Sequence, residues 1–354
     1  MTVFLNGIGT AVPSYELPQG MVLDTARRVL GPRYPQFERM AKTFTTSGVE
    51  KRYSMVPVEW FDEPKSWQER NDVYLEESKK LFIQTATTCL ESAGLKPEEI
   101  DTVVTVSSTG IATPTIEALA WKEMGFRNDA RRIPVFGLGC AGGITGLSIA
   151  QAQAEAKPGS HVLIVALEAC TLSFRSDRLQ KADIIATVLF GDGAAGACLS
   201  TSRLENDLPT VELGSGEEEL WADTLDIMGW DVDEMGLGVI FDRSIPDFAE
   251  ENFASASQRA LERMGLRRDM IDRFVCHPGG KKVVEAIETS MEIDAGSLDA
   301  ERETLKDFGN MSAPTALFVL KRVLEKGHLG QMVACALGPG FTASFLPIKV
   351  TSPA

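Results

Sequence analysis

Phe136-Gly137-Leu138-Gly139-Cys140-Ala141-Gly142-Gly143 is the stretch whose reading decides the fold. An apolar run (Ile133, Val135, Phe136) precedes it, and a small-residue helical pattern (Ile144, Leu147, Ser148, Ala150, Ala152) follows. The pattern predicts a strand, a tight turn and a helix, with Cys140 at the helix N-terminus. Free N–H groups and the helix dipole there favour a thiolate. The thiolate is the nucleophilic form of cysteine, so the position suits covalent chemistry. Small neighbours let a substrate carbonyl approach closely. Taken alone, the motif fits a small buried hydrophobe equally well.

Two distant residues shift that balance. His277 stands in Phe274-Val275-Cys276-His277-Pro278-Gly279-Gly280, after another short apolar run. Asn310 stands in Phe308-Gly309-Asn310-Met311-Ser312-Ala313-Pro314, at a turn that opens a small-residue helix. A cysteine, a histidine and a polar amide far apart in sequence form a nucleophile pattern. The chain has three histidines. His161 follows a Pro-Gly turn and His328 lies in a Lys-Gly-His turn, both solvated settings. His277 alone has a Gly-rich strand-end setting.

The chain also repeats itself. Glu91-Ser-Ala-Gly94-Leu95 through Ile100-Asp101, followed by a strand, matches Glu262-Arg-Met-Gly265-Leu266 through Ile271-Asp272, followed by a strand. Both read as a helix ended by glycine, a short turn, then a strand. Gly139-Cys140 and Gly309-Asn310 recur at nearly the same offset, each opening a helix. Two matches in step point to a duplicated unit. The expected halves are residues 1–205, with the nucleophile, and 206–354, with His277 and Asn310. The site is expected where two pseudo-symmetric helix N-termini converge.

Composition bounds the rest. The 354 residues are 44% apolar, enough for a substantial core, and no apolar run reaches membrane-spanning length. Residues 1–10 lack the basic start of a signal peptide and read as a first strand. Six cysteines without paired spacing fit a reducing cytoplasm and no disulfide framework. No CxxC or metal-ligand cluster is present, so no metal is expected. A net charge of −15 argues against nucleic-acid binding. Basic residues gather early, from Arg27 and Arg28 through Arg33, Arg39, Lys42 and Lys51 to Arg52. They read as solvated helix faces or as a phosphate-contacting entrance for a nucleotide-bearing substrate.

Strands and helices alternate, which is an α/β layered pattern. Helices are predicted near 18–30, 34–46, 72–93, 114–124, 140–156, 245–264, 279–290 and 311–326. Strands are predicted near 2–10, 101–107, 133–137, 161–168, 187–199, 208–214, 236–241, 272–276, 331–337 and 342–348. The acidic stretch 215–235 reads as a surface loop or strand pair, and 57–72 as a second excursion.

Together these residues resemble the type III polyketide synthases, the chalcone synthase family, within the thiolase-like fold. The resemblance runs through nearly the whole chain. Its strongest pieces are Gly139 to Gly143, Leu189-Phe190-Gly191-Asp192-Gly193-Ala194-Ala195, His277 to Gly280, Gly309 to Ser312, and Gly338-Pro339-Gly340. It implies an internally duplicated, five-layer αβαβα fold. It implies that Cys140 takes a starter acyl group from coenzyme A and that His277 pairs with the thiolate. His277 and Asn310 would then hold the enolate oxygen left when malonyl-CoA loses carbon dioxide. No metal or bound organic cofactor is implied, since the coenzyme A thioesters are substrates.

The resemblance also implies pocket positions. Phe190 falls at a gatekeeping position, or it packs a strand. Ser108, Cys170 and Ser173 stand where plant members have threonine, and Ser312 and Gly340 fall beside the pocket. The second gatekeeping phenylalanine of plant members falls at Val239, with Phe241 two residues away. Trp230 falls at a small-residue position, where it divides the pocket or merely packs. Thr113 replaces a methionine that crosses the dimer interface in plant members, so a homodimer is implied. Lys42, Lys51 and Arg52 are the candidates for the coenzyme A entrance. The implied activity is extension of an acyl-CoA, with a long-chain fatty acyl starter preferred, by malonyl-CoA and release of a cyclised alkylpyrone or alkylresorcinol. The alternatives are a single-condensation ketoacyl synthase and an inactive acyl-binding scaffold.

Overall fold

A computed structural model describes residues 1–175, 177 and 180–352. The strands are β1 (Val3–Ala11), β2 (Tyr15–Pro18), β3 (Lys51–Ser54), β4 (Thr102–Val106), β5 (Arg131–Val135), β6 (Val162–Ala169), β7 (Asp192–Ser200), β8 (Thr210–Leu213), β9 (Glu217–Leu220), β10 (Met228–Asp233), β11 (Gly236–Phe241), β12 (Arg273–Cys276), β13 (Gly330–Gly338) and β14 (Thr342–Thr351). The helices are α1 (Gln19–Leu30), α2 (Phe37–Thr46), α3 (Trp67–Ala93), α4 (Ile116–Met124), α5 (Gly142–Ala156), α6 (Lys181–Leu189), α7 (Ile245–Arg263), α8 (Lys281–Ser290), α9 (Asp299–Phe308) and α10 (Thr315–Glu325).

Ten strands run in the order β12-β13-β14-β8-β1-β7-β6-β4-β5, with β9 on β14. Only Val3↔Leu213 and Phe4↔Glu212 register β1 on β8. Helices α5 and α10 lie between the strand groups on either side of that seam. Helix α5 touches β4, β6 and β7 on one side and β13 and β14 on the other, and α10 touches β1, β7, β12 and β13. Helix α3 covers β1, β6 and β7 from outside, and α7, paired with α8, runs along β9 and β14. The result is helix, sheet, helix, sheet, helix, the five-layer thiolase-like arrangement. Every residue of β6 and β7 is buried, as befits strands covered on both faces.

Local chemistry sets the element ends. Ser66 and Glu69 form a capping box at the start of α3, and Gly94 ends the helix with φ 67°. One predicted strand changes type at its start. Residues 187–189, read as the start of a strand, close α6, and β7 begins only at Asp192. A short apolar run has no period that separates strand from helix. The 140–156 helix opens with a 3₁₀ turn at Gly139–Ala141. The acidic stretch supplies β9, paired with β14, and β10, paired with β11. The antiparallel β2–β3 pair, which brackets α1 and α2, and helix α9 had no sequence signal strong enough to place them.

Candidate active site

Cys140 is 6% exposed, at the turn between β5 and α5. Burial pushes its thiol up to about 11; the Ser312 and Asn310 side chains, donors toward the sulfur, act in the opposite sense, and Glu168 adds to the rise. Desolvation therefore outweighs the helix-terminus effect that the sequence alone points to. The turn Gly338-Pro339-Gly340 backs this loop. A Cβ on Gly338 would stand 2.6 Å from the Ala141 Cβ, so only glycine lets the end of β13 approach the Cys140 turn here. Gly340 itself has φ 133° and faces Leu220.

Asn310 is fully buried in the turn before α10. Its Nδ2 donates to Gly279 O at 3.1 Å and its Oδ1 accepts from Ser312 N at 2.8 Å. Its main chain forms a parallel bridge with Phe190. The bond to Gly279 ties Asn310 to the turn that carries His277. His277 follows β12, and its N–H donates to Cys335 O at 2.8 Å. Both its ring nitrogens are buried without a hydrogen-bond partner among the described residues. The implied pairing of His277 with Cys140 is thus not a formed bond here. Burial pulls the imidazole down to about 3.

Glu168, near the end of β6, is a fourth buried polar group in this region. Oε2 accepts from Ser108 N at 3.0 Å and Thr109 Oγ1 at 2.7 Å. Oε1 has no partner. Burial raises the carboxyl to about 7, against those hydrogen bonds. Ser108 is buried; its Oγ accepts from Gly137 N and its carbonyl accepts from Trp230 Nε1 at 2.7 Å. Trp230 is thereby anchored in the β10–β11 hairpin, registered opposite Val239.

Two hollows adjoin the site. The inner one is about 690 Å³ including its open mouth, and mostly apolar. Phe190, Val239, Cys170 and Ser173 line it, together with Val22, Ala26 and Val29 of α1 and with Val58 and Phe61. Ser108, Trp230, Ser312 and Gly340 do not. The outer cleft, about 1530 Å³, is lined by α2, the start of α6, Phe241, Arg243 and the Gly279–Val283 segment. Phe190 and Phe241 meet edge to face with ring centroids 6.1 Å apart. Val239 and Phe241 are two residues apart on β11, so they share a face. One lines the inner cavity and the other the outer cleft.

Of the three basic residues assigned to the entrance, Arg52 and Lys51 are engaged elsewhere, and Lys42 stands on α2 between Met40 and Thr43, which line the outer cleft. Arg52 is 2% exposed and donates to the carbonyls of Thr187, Val188 and Phe190. Lys51 pairs with Glu16 at 2.8 Å and covers the Tyr53 ring. Lys42 is exposed on α2 and does not line the cleft. Among the described residues, the cations lining the cleft are Lys181, Arg243, Lys281 and Lys282.

Residues 2–202 match the chalcone and stilbene synthase N-terminal domain, and residues 212–350 match the C-terminal domain. The chain belongs to the chalcone and stilbene synthase family. It is a type III polyketide synthase, and hence an acyltransferase of the decarboxylative Claisen type. A Bacillus subtilis (strain 168) protein with a provisional chalcone synthase name is 34% identical over 355 aligned residues, 97% of each chain. The 1,3,6,8-tetrahydroxynaphthalene synthase of Streptomyces peucetius subsp. caesius is 32% identical over 318 residues, 88% of this chain and 83% of that one. The crystal structure of 1,3,6,8-tetrahydroxynaphthalene synthase from Streptomyces coelicolor A3(2), a bacterial type III polyketide synthase, matches with a TM-score of 0.92 at 28% identity, covering 99% of this chain and all of that one.

Within this family member, sequence reasoning missed Glu168 and the cleft cations. Glu168 did carry a signal, as the lone carboxylate in the apolar run Val162 to Ala169. The cleft cations carried none, because α6 and α8 meet only in three dimensions. Among the described residues no helix is long and apolar enough to cross a membrane.

Proposed function

We propose that this type III polyketide synthase loads an alkyl acyl-CoA starter on Cys140, extends it with malonyl-CoA and releases a cyclised alkylpyrone or alkylresorcinol. The observation that carries the reading is one arrangement. Cys140, Asn310 and Ser312 share a buried centre, and Asn310 is tied through Gly279 to the turn that carries His277. The Phe190–Phe241 pair stands between a cation-lined cleft and an apolar cavity.

The chemistry follows from that arrangement. A proton moved from Cys140 to His277 gives a thiolate and an imidazolium that stabilise each other. The thiolate attacks the starter thioester, coenzyme A leaves, and the acyl group stays on sulfur. Malonyl-CoA then loses carbon dioxide, and its enolate oxygen takes N–H donors from His277 Nε2 and Asn310 Nδ2. The enolate carbon attacks the Cys140 thioester and displaces the thiolate. Phe190 shields the malonyl carboxylate from water, which favours its loss. Lys181, Arg243, Lys281 and Lys282 suit the phosphates of coenzyme A. The tail of the starter extends under α1, along Val22, Ala26 and Val29.

A homodimer is part of the proposal. Ile111 and Phe136 are 47% and 55% exposed on adjoining loops beside Thr113, at the open edge strand β5. A monomeric mass at micromolar concentration contradicts it.

The test of the loading step is intact-protein mass spectrometry after incubation with acyl-CoAs from acetyl to palmitoyl. A mass increase equal to one acyl group, absent in Cys140→Ala, is expected. An unmodified wild-type protein across the series overturns the proposal.

A further inference from the structure

Arg52 does not meet the solvent-facing role that its sequence setting implies, and its contacts assign it another. It sits on β3 with its guanidinium against the C-terminal end of α6. Nη1 donates to Thr187 O at 2.8 Å and to Phe190 O at 2.9 Å, and Nη2 donates to Val188 O at 2.6 Å. The last carbonyls of a helix lack partners within the helix, and that end carries partial negative charge that a cation stabilises. A helix end in water needs no such partner. Here the end is buried beside the inner cavity, which Arg52, Thr187 and Phe190 help to line, and a planar fork of donors satisfies three carbonyls at once.

The same carbonyls flank the bridge between Phe190 and Asn310. Gly191 N donates to Asn310 O at 3.0 Å, and Asn310 N donates to Leu189 O at 2.8 Å. The stem of Arg52 packs against this seam. A Cβ on Gly191 would stand 3.1 Å from the Arg52 Cβ, and one on Gly309 would stand 3.5 Å from it. Gln19, the first residue of α1, holds the arrangement from behind. Its Oε1 accepts from Arg52 Nη2, and its Nε2 donates to Val188 O at 3.1 Å and to Phe44 O at 3.2 Å. The Cys140 main chain rests on a different support, the Gly338 turn, and that of His277 on the Cys335 strand, although the Asn310 amide also reaches toward the Cys140 sulfur.

We infer that Arg52, oriented by Gln19, is a positioning residue that sets the Phe190 ring and the Asn310 amide together. The inference rests on the polyketide reading above. Loosening Arg52 displaces the gate and an enolate donor while leaving the nucleophile seated. Malonyl decarboxylation should therefore suffer and starter loading should not.

Arg52→Lys keeps the charge but offers a single donor point, so it reaches fewer of the three carbonyls. The experiment measures malonyl-CoA decarboxylation at steady state and Cys140 acylation in a single turnover with hexanoyl-CoA. Arg52→Lys is expected to lower the decarboxylation kcat about tenfold or more, with KM and the acylation rate within about threefold of wild type. Gln19→Ala is expected to give the same selective loss, about threefold, since Arg52 keeps its carbonyls but loses its brace. If Arg52→Lys does not fold, Gln19→Ala decides alone. Parallel loss of decarboxylation and acylation means a purely structural role and overturns the inference, as does no loss in either variant. Wild-type protein that releases no carbon dioxide from malonyl-CoA overturns the polyketide reading instead.

Discussion

Phe190 and Phe241 face each other edge to face, their ring planes at 89°. The sequence register places Val239, not Phe241, opposite Phe190, and β11 reconciles the two. Both side chains share one face of the strand, so the smaller lines the inner cavity while the larger closes the outer cleft. Two rings thus meet between the inner cavity and the outer cleft, although the aligned position is a valine.

Val239→Phe should put a third ring into the cavity mouth. A pocket wall discriminates by about 1–3 kcal/mol per methylene, so kcat/KM for palmitoyl-CoA should fall at least about tenfold relative to acetyl-CoA. Malonyl-CoA decarboxylation should change far less. Trp230→Gly should leave the acyl-chain preference nearly unchanged, because Trp230 hydrogen-bonds Ser108 and does not line the cavity. A steady-state comparison across acyl-CoA lengths checks both. An unchanged profile in Val239→Phe removes that residue from the acyl path.

Asn310→Ala removes an enolate donor and should depress malonyl-CoA decarboxylation about 10²-fold. Acylation of Cys140 should fall much less, since the thiolate and its histidine remain. Cys140→Ala should show the reverse, with acyl transfer abolished and some decarboxylation retained. Equal losses of both steps in Asn310→Ala contradict its assigned role.

The pairing of Cys140 with His277 has a pH signature. Burial is the largest cause holding the thiol near 11, and it holds the imidazole near 3. Transfer of the proton to His277 stabilises the thiolate, so the wild-type midpoint for iodoacetamide inactivation should lie well below 11. In His277→Ala the midpoint should move up toward 11, because no imidazolium offsets the burial. The rate of activity loss as a function of pH reads this directly. Identical midpoints in the two proteins contradict the pairing.

Glu168 makes stability fall with rising pH. Its folded value of about 7 lies above the ordinary carboxylate value of 4.5. The folded protein therefore binds the proton more tightly than the unfolded chain does. Stability is lost as pH rises from 4.5 to about 7, by about 3 kcal/mol for full burial of the charge. Glu168→Gln should stabilise the protein at pH 8 relative to wild type by more than it does at pH 4.5. Denaturant unfolding at the two values checks this; an equal difference at both shows that Glu168 is not held protonated.

The layered α/β fold was legible because long buried strands such as Val162–Ala169 and the recurring glycine turns leave local signatures. Cys140, His277 and Asn310 were legible because each ends or opens an element in a small-residue setting. Arg52 was not. A basic residue in a charged neighbourhood reads as solvated, and only the packing of β3 against α6 shows it buried. The α1 wall of the cavity was equally hidden, since Val22, Ala26 and Val29 form an ordinary helical stripe. Residues 187–189 misled because an apolar run of three or four has no period. Tertiary neighbours, not local pattern, decide all three cases.

The central claim is repeated extension of an acyl-CoA by malonyl-CoA. Mass analysis of the products formed from malonyl-CoA and a series of acyl-CoAs tests it most directly. The expected result is a free, cyclised product carrying the starter and at least two malonyl-derived units, formed by wild type and not by Cys140→Ala. Release of only a β-ketoacyl thioester after one condensation contradicts it.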